Sequence, residues 1–109
     1  MTAPLYTLEY YLDARGRSPF TEWLETLRDR AGVARIITRL DRIQIGNFGR
    51  VEPVGYGVSE LKIDYGPGYR VYFAMSGTTV VLLLIGGDKS TQKRDIATAK
   101  EYWRISKEA

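Results

Sequence analysis

Between residues 58 and 85 the chain reads as three consecutive strands with almost nothing between them, and this limits the fold more than any other feature. VSELKID (58–64) alternates apolar and polar residues, as a half-buried strand does. Gly66-Pro67-Gly68 follows, with Pro67 and Gly68 suiting the central positions of a type II turn. Tyr69 to Met75 returns, Ser76-Gly77-Thr78 turns again, and Thr79 to Ile85 is apolar on both sides, the pattern of a central strand. Turns this short can only join antiparallel neighbours.

The flanking segments have a helical period. Ser18-Pro19 is a hydroxyl N-cap followed by proline at the first helical position, and Phe20, Trp23, Leu24 and Leu27 then fall on one stripe. Gly32 is read as the cap that ends this helix. A second helix from Val33 to Ile45 buries Ile36, Leu40 and Ile43 and stops at Gly46-Asn47, so the two form an antiparallel helical hairpin. GNFGRVEPVGYG (46–57), with its glycines and proline, is read as a connecting loop. LYTLEYYL (5–12) is an opening strand, and Gln92 to Ile105 a last helix, capped by Ser90 or Thr91, with Ile96, Ala99, Tyr102 and Trp103 inward. The predicted order is β-α-α-β-β-β-α, a single α+β domain over residues 1–109 with a two-helix hairpin on a mostly antiparallel sheet.

The chain has no cysteine and no histidine, so thiol nucleophiles, imidazole bases, disulfides and Cys/His zinc sites are excluded. Any chemistry falls to Lys, Arg, Tyr, Asp, Glu or a hydroxyl, and no metal or cofactor is expected. The net charge of +3 is mildly basic without a basic tail in either half, so a basic patch must be made by folding. Val80 to Ile85 is too short to cross a bilayer and the N-terminus lacks an export pattern, so no membrane association and a cytoplasmic location are expected.

GGDKST (86–91) invites comparison with a phosphate-binding loop. A P-loop places glycine directly before the lysine and another five residues earlier; here those positions hold Asp88 and Leu83, and the aspartate would repel the phosphate. Two readings stay open for this stretch: the rim of a simpler phosphate site, or a tight turn with a helix cap.

Alternation also sets the faces of the first hairpin. If Tyr65 pairs with Tyr69, Asp64 faces Arg70 and Lys62 faces Tyr72, which gathers Glu60, Lys62, Asp64, Arg70 and Tyr72 on a polar face opposite Leu61, Ile63, Val71 and Phe73. A lysine, an arginine and a tyrosine near the strand that delivers Lys89 make a concave basic site. Cross-strand charge pairs are equally ordinary surface features. The Arg35, Arg39, Arg42 stripe reads as a solvated face, and Tyr102 and Trp103 as a docked helix end.

SPFTEWLETL, RLDRIQIGNFG, GVSELKIDYGPGYRVYF and LLLIGGDKSTQKRDIATAKEYW resemble the HigB-type addiction-module killer proteins of the RelE/ParE toxin superfamily, from about Ser18 to Trp103. The resemblance implies a RelE-like fold and a metal-independent endoribonuclease that cuts mRNA, often on the ribosome, and is neutralised by a DNA-binding antitoxin. It implies Arg70 and Lys62 as catalytic, with Lys89 a loose match to the basic residues after the last core strand; Glu60 is a candidate from its place on the polar face and not from the family. Lys93 is a second loose match to those basic residues, and Tyr72, Ser90 and Arg94 are read with it as RNA-binding from their chemistry and position. Where some relatives carry a second lysine this chain has Glu60, and where others carry histidines it has none.

Cleavage without a metal needs a base for the 2′-OH, charge stabilisation on the phosphorane and a proton donor for the 5′-oxygen. A lysine among other cations, or Glu60, is the candidate base; Arg70 suits the phosphate clamp, and Tyr72 could orient a base. Two rival readings keep the fold: a ParE-like gyrase inhibitor, and a non-catalytic partner-binding module.

Overall fold

The computed structural model describes residues 3–109. Five strands, β1 (Thr7–Tyr10), β2 (Val51–Gly55), β3 (Val58–Ile63), β4 (Tyr69–Ser76) and β5 (Val80–Gly87), form one mixed sheet in the order β1-β5-β4-β3-β2. Three helices accompany it: α1 (Pro19–Thr26), α2 (Arg30–Gln44) and α3 (Gln92–Glu108), the last preceded by a single 3-10 turn, Lys89–Thr91. β1 runs parallel to β5 and every other pairing is antiparallel. No helix among the described residues is long and apolar enough to cross a membrane.

The α+β class and the three-strand meander are as the periodicity predicts. The order gains one element, however, because the supposed loop 46–57 contains β2. Pro53 obscures it: proline cannot donate to a ladder on both sides, but at the sheet edge, next to a bulge between Pro53 and Gly55, it need not. β2 and β3 are joined by Tyr56 and Gly57, both at positive φ, the geometry of a two-residue hairpin loop.

One face of the sheet packs on α1 and α2 through Phe20, Ile36, Leu40, Ile43, Leu61, Ile63, Val71, Phe73, Val81 and Leu83. The other packs on α3 through Val58, Tyr72, Ala74, Leu84 and Ala99, with Ile96, Tyr102 and Trp103 against them. The first set follows the alternation read above; the second differs, because α3 covers the face expected to be polar and buries Tyr72 in a core of its own.

The helix boundary around Gly32 differs from expectation. Asp29, not Gly32, sits at the junction: its carboxylate accepts from Gly32 N at 2.9 Å and caps α2, so α1 has already ended at Thr26. Gly32 lies in the first turn of α2 because a Cβ there would fall 2.6 Å from the Tyr69 ring. The Tyr69 hydroxyl donates to Asp29 Oδ2 at 2.9 Å and fastens the start of β4 to the start of α2. At the other end, Gly46 N bonds Ile43 O and Asn47 N bonds Arg42 O, closing α2 with Gly46 at φ +88°.

Burial, and then the hydrogen bond to Asp29, push the Tyr69 hydroxyl up to about 12, above the unfolded value of about 10. The stability this gives is complete below about pH 10 and is lost as pH rises through about 12. Urea midpoints of the wild type should fall across that window, and those of Tyr69→Phe should fall less steeply.

Candidate cationic cleft

The β3–β4 hairpin is in a different register from the expected one. Lys62 lies opposite Arg70, Glu60 opposite Tyr72 and Ile63 opposite Tyr69, while Asp64 lies beyond the end of β3 with an exposed side chain. The turn is longer than a Tyr65–Tyr69 pairing allows. Gly68 N bonds Tyr65 O at 3.1 Å, so Gly66 and Pro67, not Pro67 and Gly68, are its central residues. The shift is of two positions, so each residue keeps its face, but the two cations of the hairpin become direct cross-strand neighbours.

Two like charges side by side are destabilising unless an anion lies between them. Glu60 supplies it from below, 1% exposed, with Oε2 3.5 Å from Arg70 Nε and Oε1 3.8 Å from Lys62 Nζ. Glu60 Oε2 also accepts from the Tyr72 hydroxyl at 2.8 Å and from Gln92 Nε2 at 2.9 Å. Arg70 Nε faces this carboxylate without a hydrogen bond, and Arg70 Nη1 donates to Gly68 O at 2.7 Å. Lys62 Nζ donates to Glu52 Oε2 at 3.1 Å.

Above this buried layer opens a cleft of about 380 Å³, walled by Arg50, Lys62, Asp64, Arg70 and Lys89 and by the backbone of the 66–68 turn. Lys89 reaches it because Lys89 N bonds Pro67 O at 3.3 Å, docking the end of β5 on the hairpin turn. Gly68, at φ +77°, keeps the floor bare: a Cβ there would lie 3.1 Å from Arg70 Nη1 and 3.5 Å from Lys89 Cβ. Arg50 is drawn to Asp64 at 3.8 Å. Lys89 is the only one of the four cations with no carboxylate in ion-pair range among the described residues.

No family model matches the chain. Over 81 residues it is 48% identical to an uncharacterized protein of Haemophilus influenzae, an alignment spanning 74% of this chain and 82% of that protein. The chain belongs to that protein's family.

Of the predicted site residues, the fold brings Lys62, Arg70 and Lys89 to one cleft and places the others elsewhere. Tyr72 is fully buried under α3, so it cannot stack on a base; burial and the Glu60 hydrogen bond raise its pKa far above the ordinary phenol value. It holds Glu60. Glu60 in turn is buried beneath the cations, where its carboxylate accepts from Tyr72 and Gln92 and does not open to the cleft. Ser90 donates to Asp88, and Lys93 and Arg94 are exposed on the first turn of α3 outside the cleft walls, Arg94 lying 3.7 Å from Asp95.

GGDKST also takes a different form. Gly86 and Gly87 belong to β5 and neither has positive φ. A Cβ on Gly86 would enter the Trp23 ring of α1, and one on Gly87 would overlap Asp95 Oδ2 of α3. Asp88 caps the 3-10 turn, accepting from Ser90 N at 2.8 Å, while Thr91, at the N-cap of α3, makes no capping bond and its hydroxyl donates to Asp95. The glycines serve close helix approach, and only Lys89 faces the cleft.

Sequence reasoning missed Gln92, Glu52 and Arg50. Gln92 bonds Glu60 and Glu52 bonds Lys62 from other elements, and Arg50 belongs to the segment read as loop. No periodicity within β3 or β4 could reveal these contacts.

Proposed function

We propose that this protein is the toxin of a type II toxin–antitoxin system, a metal-independent mRNA interferase of the HigB-type branch of the RelE/ParE superfamily that cuts mRNA on the ribosome in the cytoplasm. Its RelE-like core would be the two consecutive helices as a hairpin on the mostly antiparallel sheet, with β2 as an added edge strand. The observation that carries the reading is the pairing of Lys62 with Arg70 over the buried Glu60, two cations held open to an anion at the bottom of a concave cleft.

Such a site suits a phosphodiester. The RNA 2′-oxygen attacks its own 3′-phosphorus, the P–O5′ bond breaks, and a 2′,3′-cyclic phosphate and a 5′-hydroxyl result. Arg70 presents a planar fork to the phosphorane oxygens, fixed at one end by Gly68 O. Lys62, held between Glu52 and Glu60, neutralises the same charge. Lys89, with no carboxylate to tether it, is the group free to exchange a proton with the 2′- or 5′-oxygen. No general base is fixed among these groups, so rate must come largely from how the ribosome presents the strand. A cognate DNA-binding antitoxin would silence the toxin by binding it.

The test is reconstituted translation of one defined mRNA with primer extension to map breaks, with ribosomes omitted in parallel. Wild type should cut only with ribosomes, and Arg70→Ala should lose about 10²–10³-fold of that rate. Intact mRNA in every tube would sink the ribonuclease reading, and inhibition of gyrase supercoiling by the same protein would replace it.

A further inference from the structure

On the helix α2 side of the β3 end lies a second cationic groove, of about 270 Å³, lined by Arg35, Thr38, Arg39, Arg42, Asp64 and Tyr65. The Arg35 guanidinium stacks on the Tyr65 ring, 4.3 Å from its centroid, leaving its N–H edge to solvent. Arg39 is anchored, donating to Lys62 O at 2.7 Å and Phe48 O at 3.2 Å, and Arg42 lies one turn further along the helix. Among the described residues no carboxylate comes within 4.0 Å of any of the three guanidinium groups. Burial, and after it the charge of Arg42, weaken Arg39's hold on its proton. Three gathered arginines without a counter-ion form a site that gains from an anion.

The two grooves share a wall. Ile63 and Asp64 line both, one groove opening toward α2 and the other toward the Lys62–Arg70 cleft. The edge between them is bare, because β2 begins at Val51 opposite Leu61 and leaves residues 63–65 without a strand neighbour on that side. Asp64 at this shared wall is paired with Arg50 at 3.8 Å, which offsets its charge, and a strand with phosphates in both grooves would run around the end of β3 past that pair.

We propose that the Arg35–Arg39–Arg42 groove is a second phosphate-binding site for the same single-stranded RNA, gripping the strand several nucleotides away from the cleft. This rests on the RNA reading of the cleft. The groove gives affinity and register without touching the scissile bond, and its backbone contacts carry no sequence preference.

The experiment is fluorescence anisotropy with two labelled RNAs, a trinucleotide and a strand of about 12 nucleotides, titrated over a range of salt. Wild type, Arg70→Ala and the double variant Arg35→Ala/Arg42→Ala are compared. Both arginines are exposed on α2, so the double variant should keep its fold, which circular dichroism verifies. It should bind the long RNA about tenfold more weakly and lower the slope of log K against log salt by about 1.4, at about 0.7 per lost phosphate contact. Its affinity for the trinucleotide should match wild type, and an Arg35→Lys/Arg42→Lys variant should recover most of the loss. Unchanged affinity and slope in the double variant, with binding lost in Arg70→Ala, would overturn the second site and leave the cleft standing. A wild type that binds neither RNA would overturn the second site, and the primer-extension assay with ribosomes would still decide the cleft reading separately. With labelled poly-glutamate titrated in parallel, loss of its binding in the double variant with RNA binding intact would make the groove a protein-docking face and overturn the proposal too.

Discussion

Glu60→Ala should lower the stability of the folded chain by about 3–5 kcal/mol, the cost of stranding a buried charge whose partner has been removed. Arg70 has a side chain only 11% exposed and would keep one fixed contact, to Gly68 O. The Tyr72 hydroxyl and the Gln92 amide would lose their shared acceptor, and Lys62 and Arg70 would face each other across the strand pair with nothing between them. Glu60→Gln separates charge from shape. It keeps an oxygen for Tyr72 but removes the anion, so it should lose less stability than alanine while still freeing Arg70. Urea midpoints of the three proteins measure the first effect. A loss in Glu60→Ala below about 1 kcal/mol would mean that the carboxylate does not hold the layer together. mRNA cleavage by Glu60→Gln measures the second, since a guanidinium no longer aimed into the cleft is a poorer clamp even when the fold survives.

Gly87→Ala should lower the thermal midpoint by about 8–24 °C. The new methyl group occupies the position of Asp95 Oδ2 and presses on Thr91 Oγ1, so either the start of α3 moves away from β5 or Asp95 gives up its bond with Thr91. Overpacking costs about 1–3 kcal/mol and an unpaired buried polar group about as much again, and each kcal/mol is worth roughly 4 °C at this size. Gly86→Ala meets the Trp23 ring on the opposite face and should be damaging for a parallel reason. Gly77→Ala is the control, since its Cβ would have nothing within 4 Å and only the positive φ opposes it. A midpoint for Gly87→Ala no lower than that of Gly77→Ala would show that α3 yields easily, and the close-packing account of the glycine pair would fail.

These two cases show where sequence reasoning reached its limit. Alternation along β3 and β4 assigned Leu61, Ile63, Val71 and Phe73 to one face and Lys62 and Arg70 to the other, because side-chain period is a local property. Register depends on the turn, and GPG fits more than one, so the sequence alone sets Lys62 opposite Tyr72, whereas its neighbour is Arg70. Depth was harder still. Glu60 and Tyr72 lie on the polar face of the hairpin, yet α3, which begins 32 residues after Glu60, covers them, and Gln92 arrives with it. The GGDKST loop misled in the same way: its glycines resemble a phosphate nest locally, and only the placement of Trp23 and Asp95 reveals that they make room for helices. β2 was hidden by a proline that an edge strand tolerates.

The single parallel pairing bears on how the molecule is put together over time. β3, β4 and β5 meet through short turns, and with the 3-10 turn and the start of α3 they carry Glu60, Lys62, Arg70, Lys89 and Gln92, while Arg50 stands just before β2, so the cleft is encoded in one contiguous stretch that can assemble by local closure. β1 joins from the far end of the chain, Thr7 opposite Val80, as a four-residue edge strand with one neighbour. Bringing it home requires closing most of the polypeptide into a loop, so it docks late and is the first strand to detach. Transient loss of β1 would uncover the outer edge of β5 while the cleft, two strands away, stayed intact.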